Sequence, residues 1–431
     1  MGAILSTPLA GPGSRLRPPC YDAGVISFEQ ALERVLEAVT PAGSVRVPVA
    51  SAAGRVLAEP VVSDLDLPSF STTAMDGWAV RAAEARPAPA RLPVAGAFGA
   101  GAAAGPLPAA TAMKLMTGAP IPQGADAIVP VEEAEEHADG TVSLRTAPDP
   151  GDHVRRQGEV FPAGATLLSP GNRLSPADLV LVAAAGHDVI AVARPLRAGV
   201  LVTGSEVVSA GARPGPAQIR NTNGPLLLGA LTQAGAEAHD LGSAPDDALA
   251  LRVAIARALA SGLDLLLTTG GVSAGDFDLI PEVLSELGAK TIFHKVSIKP
   301  GKPVLFAVAG ETLVFGVPGN PVSAAVIFDL FIRPVLRRAA GLSPALPPPV
   351  EATLTASVSN HGPRLTFAPA RLVRRRETLL AEPLPSRGSH DVLAHARADG
   401  LLVLAPRARL AKGDRAGVYV GTNETTLGSF E

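Results

Sequence analysis

The sequence DLLLTTGGVS, residues 264–273, joins a short apolar run to a glycine pair flanked by hydroxyl side chains. The apolar part has the length and composition of a buried strand. Glycines directly after a strand allow a tight turn in which the backbone comes close to a ligand. In open α/β sheets, ligands bind at the carboxyl ends of the strands. The stretch therefore predicts an α/β domain and marks where in that domain a ligand binds.

Strand and helix patterns alternate on both sides of this stretch, between residues 196 and 341. Apolar runs bounded by turn residues predict strands at 199–202, 237–241, 264–267, 291–296, 304–308 and 312–315. Helical patterns lie between several of them, at 223–233, 246–260, 281–287 and 321–339. This alternation predicts a doubly wound α/β domain.

The flanking sequence predicts smaller domains around this centre. Residues 1–24 are rich in Pro, Gly and Arg and are expected to be a disordered leader. A helix capped by Ser27 opens a mixed domain of residues 25–63 and 161–195, interrupted by a β-rich domain at 64–160. After a proline-rich linker, residues 350–425 predict a C-terminal β domain. The expected fold class is thus α/β plus all-β modules.

Composition narrows the class of function. The 431 residues are 47% hydrophobic and 18% charged with a net charge of −3, which predicts folded domains and argues against a broad nucleic-acid footprint. Cys20 is the one cysteine, so the chain holds no internal disulfide or cysteine zinc cage. No apolar run approaches the roughly 20 residues of a membrane span. A multi-domain cytoplasmic enzyme is expected.

The loop after residue 267 predicts an anion site with a metal beside it. Gly270 and Gly271 let the backbone approach a phosphate, and Ser273 adds a hydroxyl. Asp276 and Asp278 then supply the oxygen ligands that Mg²⁺ prefers. A helix N-cap with one surface acid is the alternative.

Two further loops in this domain carry candidate ligand groups. Lys295, Lys299 and Lys302 place three ammonium groups within eight residues, and an extended backbone would point the first two to the same face. Solvated surface lysines are the alternative. In 318–323, PGNPVS, Asn320 and Pro321 fit a helix start, whereas the Pro-Gly pair before them suggests free amides facing a ligand.

One rival motif points to a hydrolase. Residues 271–275 match the Gly-x-Ser-x-Gly nucleophile elbow and follow a predicted strand. A triad then requires an acid and a histidine further along the chain. His294 comes too early for that order, and the later histidines fall in another predicted domain.

The motifs together resemble the molybdopterin molybdenumtransferase family, which includes the E domain of gephyrin. The resemblance rests on six motifs in order, over roughly residues 27–420: AMDGWA at 74–79, MTGAPIP at 116–122, TGSE at 203–206, TTGGVS at 268–273, KPGKP at 299–303 and PGNPVS at 318–323. It implies four domains and a reaction in which molybdate is inserted into adenylylated molybdopterin, with Mg²⁺-dependent release of AMP.

The resemblance also implies roles for particular residues. Mg²⁺ and the pyrophosphate are expected at Glu206, Asp246, Asp276 and Asp278, although Asp246 alone would be read as a helix N-cap. Phosphate and molybdate are expected at Lys295, Lys299, Lys302 and Ser323. The remaining expected substrate contacts are Thr203, Gly204, Ser205, Gly270, Gly271, Ser273, Pro318, Asn320 and Pro321, with Arg364 and Ser389 of the last domain matched on molybdate.

Partners follow from the resemblance alone. Asp76 and Thr117 are expected to reach the α/β site of a second subunit, which implies a homodimer. The upstream adenylyltransferase and recipient molybdoenzymes are expected partners, and nucleic acid and membranes are not. The alternatives are a related adenylyltransferase or phosphoanhydride hydrolase, and a gephyrin-like scaffold.

Overall fold

The computed structural model describes residues 24–102, 105–272 and 279–421. Its contacts divide the chain into two units, one formed by Arg46–Val192 and the other by the residues before and after that segment. The predicted leader and Cys20 lie outside the described residues. None of the described helices is both long enough and apolar enough to span a bilayer.

A six-stranded sheet forms the centre of the second unit. Its strands in chain order are β1 Arg197–Thr203, β2 Glu237–Ala244, β3 Leu265–Thr269, β4 Lys290–His294, β5 Leu305–Ala309 and β6 Thr312–Val317. The spatial order is β2-β1-β3-β6-β5-β4. The first four of these are parallel, whereas β5 runs antiparallel to β6 and to β4. All six predicted strands are present, with ends that differ by at most three residues.

Helices cover both faces of this sheet, which is why its strands are apolar throughout. Leu265 and Leu267 belong to one hydrophobic core and Leu266 to another on the opposite face. The helices span Asn223–Gln233, Ala248–Leu259, Ile280–Glu286, Pro321–Ile327 and Arg333–Ala339. The last two are joined by a π-helical turn, Phe328–Ile332, so the predicted helix 321–339 is continuous. The α/β prediction is confirmed.

The helix Phe28–Glu37 begins with the predicted cap. Ser27 and Gln30 exchange hydrogen bonds in a capping box. Its buried face carries Phe28 and Val35, which lie in the core of the α/β sheet. The contacts of the helix group it with the α/β unit, because its apolar face is buried there. The predicted domain boundaries stay predictions.

The C-terminal module is a closed barrel. Leu365–Arg375 pairs with both Thr378–Pro383 and Gly400–Leu404, and the ring closes through the other strands. The strands of this module are Val350–Leu354, Val358–Ser359, Leu365–Arg375, Thr378–Pro383, Gly400–Leu404, Arg409–Leu410 and Arg415–Val420, with one short helix, Val392–Ala396. A strand of the central domain, Ile298–Lys299, pairs in parallel with its longest strand.

An aromatic cluster joins the barrel to the central domain. Phe28 makes edge-to-face contacts with Phe331, Phe367 and Tyr419, with ring centroids 5.4–6.4 Å apart. Such pairs are worth about 0.5–1.5 kcal/mol each beyond the area they bury. The N-terminal helix therefore helps to fix the barrel against the central domain.

The unit Arg46–Val192 contains a second six-stranded sheet. Its spatial order is Ala127–Pro130, Gly77–Val80, Ala112–Leu115, Ala90–Phe98, Thr141–Leu144 and Ala134–Glu136. The core of this sheet is built around Trp78, which is 2% exposed. The other elements of the unit are the helix Pro176–Ala184, capped by Ser175, and the short strands Val61–Val62, Thr72–Thr73, Val154–Arg155 and Thr166–Leu168. The strands Ser44–Pro48 and Val189–Ala193 contain the first and the last residues of this unit.

Candidate active site

Three loops meet at the carboxyl ends of the adjacent strands β1, β3 and β6. The Thr203 hydroxyl at the end of β1 donates to the Thr269 carbonyl at the end of β3 over 2.9 Å. The Gly270 N–H donates to the Val317 carbonyl at the end of β6, also over 2.9 Å. These bonds place the Thr-Gly-Ser-Glu, Thr-Thr-Gly-Gly and Pro-Gly-Asn-Pro motifs at one edge of the sheet, where parallel strands present ligand sites.

The glycine pair is required by its backbone. Gly270 and Gly271 have φ values of 95° and 60°, which disfavour any residue with a Cβ. A Cβ on Gly270 would also lie 2.8 Å from the Thr203 carbonyl oxygen. The glycines therefore let this loop pack closely against the end of β1, and the approach of their backbone to a phosphate stays a prediction. Ser273, Asp276 and Asp278, which were predicted to extend the site, lie outside the described residues.

Two carboxylates border the loop after β1. Asp246 accepts from the Ser205 N–H over 3.2 Å, and its own N–H donates to the Ser205 hydroxyl over 3.1 Å. The Glu206 side chain folds back over Gly204, where an added Cβ would lie 2.7 Å from Glu206 Oε2. Both carboxylates are on exposed residues. They are thus held at one loop and remain accessible to a ligand.

The prediction that Asp246 caps the following helix is wrong. The N-cap of Ala248–Leu259 is Asp247, whose side chain accepts from the Ala250 N–H over 2.8 Å. An N-cap must lie at the last extended residue before the helix, and that residue is Asp247. The Asp246 side chain is consequently not used by the helix and turns toward Ser205.

The donor set at this edge fits a hard divalent cation in chemical type. Asp246 and Glu206 supply exposed carboxylate oxygens, which Mg²⁺ prefers over nitrogen or sulfur ligands. Within residues 24–102, 105–272 and 279–421, no group of three acids, histidines or cysteines is positioned to hold a metal. Any complete set therefore needs substrate oxygens or groups beyond those described.

The lysine segment is not one continuous strand, so the condition under which Lys295 and Lys299 would point to the same face is not met. Lys295 has φ of 85°, which turns the chain out of β4. The Val296 N–H then donates to the Lys302 carbonyl over 3.0 Å and closes a loop. Lys299 lies in the short strand that joins the barrel. The lysines surround one loop: Lys295 is half-buried, and Lys299 and Lys302 are exposed.

The two predicted barrel residues both contact these loops. Arg364 donates from Nη1 to the Ile298 carbonyl over 3.0 Å, one residue before Lys299. The Ser389 carbonyl accepts from the Val322 N–H over 3.3 Å, one residue before Ser323. The structure therefore brings Arg364 to the lysine loop and Ser389 to the Pro-Gly-Asn-Pro-Val-Ser loop.

Asn320 occupies the N-cap position of the helix that begins at Pro321, as predicted. Its side chain makes no capping hydrogen bond, and the residue is exposed. The amide is thus available at the edge of the site. Pro318 and Ser323 are buried on either side of it.

Sequence reasoning missed Asn223 as a residue of this edge. Its Nδ2 donates to the Gly319 carbonyl over 2.9 Å, and its Oδ1 is buried with no hydrogen-bond partner in the described chain. The Thr268 hydroxyl is also buried and unpartnered there. A polar residue in the first turn of a helix that starts at the ligand edge was the signal that could have revealed Asn223.

His294 is not the histidine of a catalytic triad, as the hydrolase alternative would need. Its Nε2 lies 2.9 Å from the Val272 carbonyl oxygen, so this nitrogen is hydrogen-bonded to the backbone of the glycine loop. A general base would need that nitrogen for a nucleophile. His294 instead supports the loop.

In the unit Arg46–Val192, the structure brings together Asp76 and Thr117. Asp76 Oδ1 accepts from the Thr117 N–H over 2.6 Å and from the Thr117 hydroxyl over 2.8 Å. These two bonds, the backbone one first, lower the pKa of Asp76 below its ordinary value. Both residues are exposed, so they form an ionised, hydrogen-bonded pair on the surface of the unit.

Comparison with known families and structures identifies the chain. Residues 26–186 match the MoeA N-terminal region (domain I and II), residues 199–338 match a probable molybdopterin binding domain, and residues 351–420 match the MoeA C-terminal region (domain IV). A molybdopterin biosynthesis MoeA protein from Pyrococcus horikosii superposes with a TM-score of 0.81 at 32% identity, over 92% of this chain and 99% of that one.

Similar relatives carry one name. A molybdopterin molybdenumtransferase of Synechococcus elongatus is 40% identical over 72% of this chain and 80% of its own length. Molybdopterin molybdenumtransferase 2 of Mycobacterium tuberculosis is 39% identical over 87% and 94%, and the Bacillus subtilis molybdopterin molybdenumtransferase is 33% identical over 88% and 90%. The chain therefore belongs to the molybdopterin molybdenumtransferase family.

Proposed function

We propose that this enzyme inserts molybdenum from molybdate into adenylylated molybdopterin and releases AMP in a Mg²⁺-dependent step, which yields molybdenum cofactor. The observation that carries the proposal is the meeting of a glycine anion loop, two carboxylates and a lysine-arginine loop at one edge of the α/β sheet. A substrate with a pyrophosphate and a second oxyanion requires this combination of groups.

The pyrophosphate side of the proposed site uses the loops after β1 and β3. Gly204, Ser205 and the Gly270-Gly271 turn border the anion, because glycine backbones allow close approach. The N–H groups of Gly204, Ser205 and Gly270 donate within the protein, so the Gly271 N–H and the Ser205 hydroxyl are the donors assigned to the anion. Asp246, with Asp276 and Asp278, would hold Mg²⁺, and Glu206 lies on the loop that Asp246 contacts through Ser205. Bound there, Mg²⁺ would neutralise charge that develops on the phosphate as the anhydride breaks.

The oxyanion side uses Lys295, Lys299 and Lys302 together with Arg364. Arg364 already has one guanidinium nitrogen fixed to the Ile298 carbonyl, which orients its remaining donors beside the lysines. Molybdate carries two negative charges and only oxygen acceptors, so clustered N–H donors fit it. Ser389 lies at the Pro-Gly-Asn-Pro-Val-Ser loop, which carries Ser323, and both serines are assigned to this substrate.

We further propose a homodimer in which Asp76 and Thr117 of one subunit complete the site of the other. Their pairing supports a joint role, because Asp76 stays ionised and is oriented by Thr117. The upstream adenylyltransferase and recipient molybdoenzymes are the proposed partners, and the cytoplasm is the proposed compartment. The alternative function is a related adenylyltransferase or phosphoanhydride hydrolase.

The product distinguishes these functions. The purified protein is incubated with adenylylated molybdopterin, Mg²⁺ and molybdate, and the pterin fraction is assayed for molybdenum and for activation of a molybdenum-free recipient enzyme. The proposal expects molybdenum in the pterin fraction only when both ions are present. Release of AMP with no molybdenum transferred would support the hydrolase alternative instead.

A further inference from the structure

A cavity of about 450 Å³ lies between the barrel and the central domain, next to the proposed oxyanion site. Thr222, Pro321 and Val322 line one side, and the barrel residues His395, Ala396 and Leu401 line the other. Val322 is the residue whose N–H binds the Ser389 carbonyl, so the cavity opens beside Ser323 and Ser389. Its volume lies within the range of small-molecule sites, roughly 300–1,000 Å³.

The cavity walls are mainly apolar, and two ionisable groups interrupt them. Asp329 lines the cavity from the π-helical turn and forms an ion pair with Arg333 through Oδ1. Its side chain is only 11% exposed, and its other oxygen, Oδ2, lies toward Gly421 at the rim. π-Helical turns inside α-helices occur frequently at functional sites.

His395 provides the second group. Its Nδ1 is buried and has no hydrogen-bond partner among the described residues, and the residue lines the cavity. Burial lowers the pKa of His395 below its ordinary value, against the opposing effect of Asp329, so the ring is neutral at pH 7. A neutral imidazole and a carboxylate on an apolar wall suit a flat, polar-edged ring rather than a free anion.

We propose that this cavity binds the pterin ring system of the substrate, with Asp329 and His395 at the hydrogen-bonding edge of the ring. A pterin presents an amino group and a ring N–H side by side, which a carboxylate oxygen accepts, and a neighbouring carbonyl oxygen, which an imidazole N–H can reach. Leu226, Val322 and Leu401 supply the apolar surface for the ring faces. This inference rests on the proposed function.

The position of the cavity indicates that it binds the pterin rather than the adenine of the substrate. The dithiolene that receives molybdenum is attached directly to the pterin system, whereas the adenine lies beyond the pyrophosphate. The cavity borders Ser323 and Ser389 on the proposed oxyanion side, and the carboxylates Asp246 and Glu206 border a different loop. The pterin therefore reaches the cavity while the pyrophosphate remains at the glycine loops.

The test measures binding of 6-hydroxymethylpterin by fluorescence titration and of AMP by calorimetry to the full-length protein. Ala396→Phe narrows the cavity at an exposed wall residue, and Asp329→Asn keeps an oxygen acceptor for Arg333 but removes the charge. Leu393→Phe is the control, because Leu393 lies on the same short helix but does not line the cavity. Thermal unfolding verifies that each variant is folded. If one of the two cavity variants is not folded, His395→Gln is measured in its place.

Ala396→Phe and Asp329→Asn are expected to weaken binding of the pterin at least tenfold and to leave AMP binding within twofold of the unmodified protein. The control Leu393→Phe is expected to leave the binding of both ligands within twofold. Unchanged pterin binding in both cavity variants overturns the inference, and so does a selective loss of AMP. If the cavity variants lose pterin binding and the unmodified protein transfers no molybdenum, the pterin site is supported and the proposed function is contradicted.

Discussion

Asp76 and Thr117 stand 41 positions apart in the chain, yet one oxygen of Asp76 accepts both the backbone N–H and the hydroxyl of Thr117. The strands that follow and precede them explain the pairing, because Gly77 of one strand is opposite Leu115 of the other. The two family motifs therefore meet at the same end of an antiparallel pair. The carboxylate is ionised and oriented before any ligand arrives.

Removing the Thr117 hydroxyl is predicted to move the acid limb of the pH profile to higher pH. The hydroxyl stabilises the charged form of Asp76, so Thr117→Val raises the pKa of Asp76 and protonates it at a higher pH. The pH dependence of kcat/KM for AMP release is the measurement. Thr117→Ser is the control, because it keeps the hydroxyl; an equal displacement in both variants would refute the assigned role.

Asp246 and Asp247 are predicted to separate activity from stability. Asp247→Ala removes the helix N-cap and should lower the free energy of unfolding by about 0.5–2 kcal/mol with little change in kcat. Asp246→Ala should lower kcat at least tenfold and weaken the dependence on Mg²⁺, because its carboxylate faces the ligand loop. Urea unfolding and steady-state rates test both. The reverse pattern would show that the residues have been assigned the wrong way round.

Arg364→Ala is predicted to raise the KM for molybdate at least fivefold. The variant loses the bond to the Ile298 carbonyl and the donors beside Lys299, whereas the glycine loop is untouched. Arg364→Lys should recover only part of the affinity, since an ammonium cannot reproduce the planar fork. Arg371→Ala, on an exposed barrel residue, is the control. An unchanged KM in Arg364→Ala would remove Arg364 from the oxyanion site.

Asp264, the residue before β3, is predicted to stabilise the α/β unit less as the pH falls. Asp264 is partly buried, which alone would raise its pKa, but two bonds of 2.9 Å from Arg194 and one of 2.7 Å from the Arg197 N–H lower it overall. The stabilisation is therefore present above the unfolded pKa of about 3.9 and is lost as pH falls through the folded value.

Asp264→Asn should accordingly be less stable than the unmodified protein at pH 7, and the difference should shrink as pH falls below about 4. Urea unfolding over pH 3–7 measures it. Asp139→Asn is the control, because its ion pair with Arg91 is exposed and should matter little. A difference that is constant with pH would show that Asp264 acts through neutral hydrogen bonds.

The sequence predicted the central sheet well, because buried parallel strands such as Leu265–Thr269 are apolar runs and the glycines after them have a local backbone reason. It could not predict that Asp247 rather than Asp246 caps a helix, since adjacent identical side chains have the same propensity. It also could not place Arg364 at Ile298, because that contact depends on a barrel closing against the central domain. Long-range pairings of this kind leave little trace in local pattern.

The most direct test of the proposed function is a single-turnover measurement of AMP released from adenylylated molybdopterin, with and without molybdate, at saturating Mg²⁺. The proposal predicts one AMP for each molybdenum bound to the pterin, and a rate that falls at least tenfold when molybdate is omitted. AMP released at the same rate without molybdate, with no molybdenum in the product, would contradict it.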